Sequence, residues 1–102
     1  MADSAVQVKR TTNILTKEPP MFKLIYINDN ETPMDFVVTS LVNIFAYHSN
    51  TAEDITMEVH ENGSAVVAVL PYELAEQKGI EVTVAARKNG FPLQVKIEPD
   101  VH

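Results

Sequence analysis

Side chains that can accept hydrogen bonds cluster in one short stretch, the run NDNETPMD at positions 28–35. Its Asn and Asp side chains offer amide and carboxylate oxygens, and a neutral His60, further along the chain, offers a ring nitrogen. Apolar side chains stand beside these acceptors in the sequence, at Met34, Val37 and Val59. The combination predicts a pocket with polar acceptors at its mouth and apolar walls inside. We therefore expect a recognition module and not an enzyme.

A simpler interpretation of the same residues stays open at this point. Residues 28–30 could do no more than turn the chain after a strand, and Thr32 could do no more than cap the following helix. His60 would then be a partly exposed histidine at the end of a helix. Spacing alone does not separate this interpretation from the pocket.

Most enzyme and metal chemistries lack the residues that they need. The sequence has no GxSxG, no glycine-rich phosphate loop and no HExxH. It has no cysteine, which excludes disulfides, thiolate metal sites and cysteine nucleophiles. The acids in the run 28–35 resemble a calcium loop, but Pro33 occupies a ligand position and the turn glycine is missing. His48, His60 and His102 lack ligand spacing, so we predict neither a metal nor a cofactor.

Acid-base catalysis remains the one enzymatic alternative, with Asp29 and His60 as the candidate groups. Neither a nucleophile nor a cofactor-binding motif in the sequence supports it.

Composition and net charge exclude several classes of binding partner. The 102 residues are the length of one domain, with 45% hydrophobic residues and a formal net charge of −6. Fourteen acidic residues against eight cations leave no basic stripe for nucleic acid or for an anionic membrane surface. No apolar run approaches the roughly 20 residues of a spanning helix, and the N-terminus has no apolar core of a signal peptide. We expect a cytoplasmic protein.

The elements that must position the polar cluster follow from apolar periodicity and turn residues. Residues 1–20 are polar and end in two prolines, which predicts a flexible arm ahead of a core domain at 21–102. A strand is predicted at 22–27. The next helix is predicted from Thr32 as its cap and Pro33 as its first residue, and continues to about Tyr47.

The rest of the chain continues in the same way. A second helix is predicted from a start signal at Thr51 to a glycine cap at Gly63, followed by a strand at 64–70. A third helix opens at Pro71 and stops at Gly90, and the last strand covers 93–98. The order β-α-α-β-α-β predicts an α+β domain, a small three-stranded antiparallel sheet with its three helices packed on one face.

Several of these residues together resemble the ClpS adaptor family, whose members deliver proteins to a ring-shaped AAA+ protease. The matching residues are the ND-x-x-TPM-D-F-V run at 28–37, the pair Val59-His60, the E-x-A-E-x-K pattern at 73–78 and Pro92-Leu93. The match extends without gaps from position 21 to about position 98, and it implies the same fold.

The resemblance also implies a function and the residues that perform it. Family members bind a free N-terminal residue that is large and hydrophobic, namely Leu, Phe, Tyr or Trp. By position, Asn28, Asn30 and His60 would hold the α-ammonium group and Met34 would select the side chain. The expected peptide-binding set is completed by Asp29, Thr32, Val37, Thr56, Val59 and Leu93.

A second surface is implied on the third helix. Glu73, Glu76 and Lys78 would face the N-terminal domain of a ClpA/ClpC-type AAA+ unfoldase, although the same charges would also suit a solvated helix face. The arm at 1–20 would engage the unfoldase during handover, and the adaptor would be a monomer.

This sequence differs from the family pattern at three positions. Asn30 stands where many members have an acid, Thr56 where a Met often walls the pocket, and Pro71 where Ser or Thr usually caps the helix. The differences at Asn30 and Thr56 leave a second function open, a domain that docks on the unfoldase and regulates substrate choice without reading N-termini.

Overall fold

The computed structural model describes residues 19–101, and the predicted order of elements is confirmed there. The elements are β1 (Met21–Ile27), α1 (Met34–Phe45), α2 (Ser49–Asn62), β2 (Ser64–Pro71), α3 (Tyr72–Lys88) and β3 (Gln94–Pro99). Apart from Pro19 and Pro20, the predicted arm at 1–20 lies outside the described residues, so the arm stays a prediction.

The three strands form one antiparallel sheet in the order β2-β1-β3. Because successive side chains of a strand point to opposite faces, β1 turns Leu24 and Tyr26 toward the helices, where both are fully buried. The three helices cover that face, as predicted. Their buried apolar residues join those of the sheet in one core cluster.

The predicted start of α1 is wrong. The helix begins at Met34, and Pro33 precedes it in an extended conformation as the N-cap. The Pro33 carbonyl oxygen accepts the first turn's hydrogen bonds, from the amides of Phe36 at 3.1 Å and Val37 at 3.3 Å. Thr32 does not cap the helix, because its hydroxyl donates instead to the Asp29 carboxylate at 2.8 Å.

The junction between α1 and α2 also differs from the prediction. Helix α1 ends at Phe45, because Ala46 takes a left-handed conformation (φ 61°) and donates its backbone N–H back into the last turn. Helix α2 then begins at Ser49 with His48 as its N-cap. The start signal at Thr51 is therefore inside the helix, since the left-handed residue turns the chain earlier than the polar residues suggest.

Glycine positions were predicted better than helix starts. Gly63 ends α2 in a left-handed conformation (φ 88°), as predicted, and donates its N–H to the Val59 carbonyl at 3.0 Å. Pro71 is the last residue of β2 and the N-cap of α3, so the helix opens one residue later than predicted. Helix α3 ends at Lys88, two residues before Gly90.

Candidate functional site

A cavity of about 210 Å³ lies where the loop after β1, the start of α1 and the end of α2 meet. Nine of the ten residues expected at the peptide site line it: Asn28, Asp29, Asn30, Thr32, Met34, Val37, Thr56, Val59 and His60. Residues from two separate parts of the chain, 28–37 and 56–60, are thus brought together around one space.

The Asp29 carboxylate organises the loop that forms one side of the cavity. Its Oδ1 accepts the backbone N–H of Glu31 at 2.8 Å and of Thr32 at 2.7 Å. Its Oδ2 accepts the hydroxyl of Thr32 at 2.8 Å. The loop between β1 and α1 is therefore wound around one carboxylate, which fixes the direction in which its neighbours Asn28 and Asn30 leave the backbone.

These bonds also favour the ionised form of Asp29. Desolvation acts to raise the pKa of the carboxyl group, but the hydrogen bonds from Thr32 and Glu31 outweigh it, and the Arg87 charge adds to them. The net result is a pKa below the usual value for aspartate. A negative charge is consequently fixed in the cavity wall at neutral pH.

The end of α2 is tied to the end of β1 through the glycine cap. Asn28 donates its backbone N–H to the Gly63 carbonyl at 2.9 Å, and Gly63 donates its own N–H to Val59. This chain of bonds holds the last turn of α2, with Val59 and His60, beside the polar loop. The two acceptor-bearing segments are thus fixed relative to each other by backbone contacts.

The floor of the cavity is apolar and buried. Val37 is 5% exposed, Val59 3% and Thr56 2%. The Thr56 hydroxyl donates to the Ala52 carbonyl within its own helix at 2.7 Å, so its proton is not available to a ligand. Thr56 therefore adds little polarity to the floor, despite being a polar residue type.

A buried hydrogen-bonded pair supports the floor from behind. Ser40 donates its hydroxyl to the Val37 carbonyl at 2.8 Å. Because that bond uses the only Ser40 proton, the Tyr26 hydroxyl must be the donor in its 2.7 Å contact with Ser40 Oγ. The pair connects the central strand to α1 one turn from Val37. The sequence contained no signal for it beyond the two residue types.

The mouth is polar and open to solvent. Asn28, Asn30 and His60 are exposed, and Met34, at the first position of α1, is 39% exposed. The arrangement can hold a small cation among amide, carboxylate and imidazole acceptors, with an attached apolar group directed toward the buried floor. Among residues 19–101 no group of three or more carboxylate and histidine side chains is placed to bind a metal ion.

The place of Leu93, the tenth expected residue, in the pocket wall stays a prediction. Leu93 is 1% exposed and belongs to the core cluster, and it is not among the described residues that line the cavity. Its backbone carbonyl accepts a 2.8 Å hydrogen bond from Arg87, which fixes the turn before β3.

The second expected surface lies on the first two turns of α3. Glu73 and Glu76 are exposed, and the Tyr72 hydroxyl contacts Glu76 at 3.5 Å. Lys78 is half-buried, and its ammonium donates to the Ile44 carbonyl of α1 at 2.9 Å. A cation at the end of α1 complements the helix dipole, so Lys78 also stabilises the fold.

Fold and cavity together define a small α+β domain with one polar-mouthed, apolar-floored cavity. Within the described part of the chain, no helix is long and apolar enough to cross a membrane. A sequence model of one family, described as "ATP-dependent Clp protease adaptor protein ClpS", matches residues 17–96. The chain therefore belongs to the ClpS family.

Individual relatives agree with the family match. The ATP-dependent Clp protease adapter protein ClpS of Treponema denticola is 42% identical over 94 residues, covering 90% of this chain and 93% of the relative. The protein of the same description from Acetivibrio thermocellus is 40% identical over 93 residues, covering 91% and 94%.

A solved structure is similar as well. Agrobacterium tumefaciens ClpS2, bound to L-phenylalaninamide, superposes with a TM-score of 0.79 at 36% identity. The superposition covers 81% of this chain and all of the other.

Proposed function

We propose that this protein is an adaptor that binds proteins bearing a free, bulky hydrophobic N-terminal residue and delivers them to a Clp-type AAA+ protease. In the cavity, Asn28, Asn30 and His60 accept hydrogen bonds from the α-ammonium group. The side chain of the first residue passes Met34 and rests on Val37, Thr56 and Val59.

The observation that carries the proposal is that one cavity has hydrogen-bond acceptors at its mouth and an apolar interior large enough for a side chain. Simple apolar cavities of about 150 Å³ accept a benzene ring. The cavity of about 210 Å³ therefore has room for one phenylalanyl or leucyl side chain. The solved relative with L-phenylalaninamide has a ligand of this chemistry, a free amine beside a phenyl group.

Delivery requires a second surface, and we assign it to Glu73, Glu76 and Lys78 on α3. None of these residues lines the cavity, so a peptide and an unfoldase N-terminal domain can be bound at the same time. The proposal also places the adaptor in the cytoplasm. The partner protease, and not the adaptor, catalyses peptide-bond cleavage.

The test is a calorimetric titration with two peptides that differ only at the N-terminus, one beginning with free Phe and its N-acetylated twin. Acetylation removes the charge and two of the donors, and each charge-assisted bond contributes about 1.5–3 kcal/mol. We expect the acetylated peptide to bind at least about 100-fold more weakly. Equal affinity for both peptides would refute the ammonium site and favour the docking-only alternative.

A matched pair of histidine variants checks the assignment of His60. His60→Ala should weaken binding of the free peptide while the thermal unfolding transition is unchanged, because the side chain is exposed. His48→Ala is the control, since His48 is also exposed, lies outside the cavity lining and makes no side-chain cap bond. Equal effects of the two substitutions would exclude His60 from the site.

A further inference from the structure

The outer edge of β3 is open to a further strand. Within residues 19–101 the sheet ends at β3 on this side. The Asp100 backbone N–H donates to the Met21 carbonyl of β1 at 2.9 Å. Because backbone groups of an antiparallel strand alternate in direction, Val95 and Ile97 direct their N–H and C=O groups to the open edge. Pro99, which has no N–H, falls on the same side, where edge strands tolerate proline.

The opposite edge of the sheet is protected in a way that β3 is not. The register of β2 against β1 shifts between Leu24 and Ile25, which leaves an extra residue, Val67, in β2. The carbonyl of Val67 accepts the Tyr47 hydroxyl. A bulge and a covered carbonyl are typical devices against edge pairing. Further pairing of the sheet is therefore expected at β3.

An apolar groove of about 360 Å³ runs beside the open edge, between α3 and β3. The helix approaches the sheet closely at Gly79, and the following turns carry Ile80 and Val84 over the edge strand. These two side chains are 57% and 48% exposed. The other lining residues are Glu76, Thr83, Val95 and Ile97. Ile80 and Val84 lie one helical turn apart and form a contiguous exposed apolar patch with the groove, and such patches, unlike single apolar residues, are typical of interaction surfaces.

The charges on β3 are self-complementary about Ile97. Lys96 and Glu98 flank it on the solvent face and form an ion pair at 2.8 Å, with side chains 56% and 39% exposed. If a second β3 is laid antiparallel with Ile97 opposite Ile97, each Lys96 lies opposite a Glu98. A register centred on Lys96 instead places two ammonium groups opposite each other, which is destabilising.

We propose that the partner of this surface is a second copy of the same chain, paired antiparallel through β3 with Ile97 on the two-fold axis. The two sheets become one of six strands, with all helices on the same face. The two grooves meet across the axis, and Ile80 and Val84 of each copy cover the other. A six-residue strand spans only about 20 Å, so the interface is small and the dimer is reversible.

The experiment is sedimentation velocity of the full chain over a concentration series that reaches the millimolar range. The native chain should shift toward twice the monomer mass as concentration rises. Lys96→Glu and Glu98→Lys should each weaken the dimer at least tenfold, because each places like charges opposite each other twice. The double variant K96E/E98K restores opposite charges and should recover native association.

Two further variants locate the interface. Ile80→Glu, in the groove, should abolish association, whereas Val69→Glu, at another exposed apolar residue (41%) on the opposite edge strand β2, should leave it unchanged. A native chain that stays monomeric throughout the series would overturn the proposal, whether the edge is then covered by residues 1–18 or by another protein. Association that survives Ile80→Glu, is lost in Val69→Glu or is not recovered by the charge exchange would overturn it as well.

Discussion

Replacing Asp29 by alanine should loosen the binding loop, and this loss of order should weaken ligand binding by up to about tenfold, in addition to the effect of the lost charge. The carboxylate accepts three hydrogen bonds, from the Glu31 amide, the Thr32 amide and the Thr32 hydroxyl, at 2.7–2.8 Å. A net hydrogen bond contributes about 0.5–1.5 kcal/mol, and the lower end applies because the side chain is half-exposed. Three bonds then contribute about 1.5 kcal/mol to loop order, and their loss lowers the population of the binding-competent loop by at most about tenfold.

Asp29→Asn is the matched control for the effect of charge. The asparagine Oδ1 can accept both backbone amides, and its Nδ2 can donate to the Thr32 hydroxyl oxygen, so the loop geometry is kept. Both substitutions remove the negative charge to the same extent. The difference in dissociation constant between the Ala and Asn variants, measured by calorimetry with a peptide beginning with free Phe, therefore reports loop order alone.

A second measurement keeps the prediction independent of the proposed ligand. Amide hydrogen exchange of Glu31 and Thr32 should be slow in the native protein and in Asp29→Asn, and fast in Asp29→Ala. If the two variants bind within about twofold of each other and protect these amides equally, the carboxylate does not organise the loop and the reasoning fails.

Three other predictions concern stability. Because the folded pKa of Asp29 is lowered, the unfolded chain is protonated first as pH falls; the stability from this carboxylate is complete above its ordinary pKa of about 3.9 and is lost below it. The difference in unfolding free energy between the native protein and Asp29→Asn, from urea titrations, should therefore shrink between about pH 5 and about pH 2, and a constant difference would contradict the pKa shift. Tyr26→Phe should lower the unfolding free energy by about 1 kcal/mol. Ser40→Ala should lower it more, by about 1–3 kcal/mol, because it leaves the buried Tyr26 hydroxyl donor without its acceptor. The reverse order in urea unfolding would show that Ser40, and not Tyr26, is the donor. Gly79→Ala should raise the unfolding free energy by up to about 1 kcal/mol, because alanine favours the helix over glycine by about that amount. The added Cβ would meet Val95 and Leu24 at 3.4 and 3.5 Å, which is ordinary contact. A lower melting temperature would show that α3 cannot accommodate the methyl group.

Apolar periodicity was sufficient to predict the order of the elements, because each element buries one face regardless of its exact ends. The helix starts were harder, since they depend on competition for single hydrogen bonds. Thr32 has the residue type of a cap, but Asp29, three residues earlier, takes its hydroxyl. Ala46 carries no recognisable signal for the left-handed conformation that ends α1.

The cavity was predicted more completely than the contacts that support it. Polar residue types after β1 and at the end of α2 are visible in the sequence, and the fold brings both to the same place. The bond from Lys78 to Ile44 joins residues 34 positions apart, and no local pattern encodes it. Leu93, which matches a pocket-wall position in the family pattern, is buried in the core cluster and is not among the described residues that line the cavity, so its expected role stays a prediction.

At the cavity mouth, negative charge and directed hydrogen-bond acceptance come from different residues, whereas a second acid would supply both. A carboxylate has about four acceptor sites, and the loop uses three of those on Asp29, so at most about one remains for an ammonium group. The charge of Asp29 nevertheless stays in the wall, because its lowered pKa keeps it ionised. In the proposed site, Asn28, Asn30 and His60 then supply direction without charge. Asn30 in the proposed site therefore costs the electrostatic attraction and one of the two acceptor oxygens that an acid would bring, but its amide oxygen still accepts, which is consistent with geometric selection of a free amine.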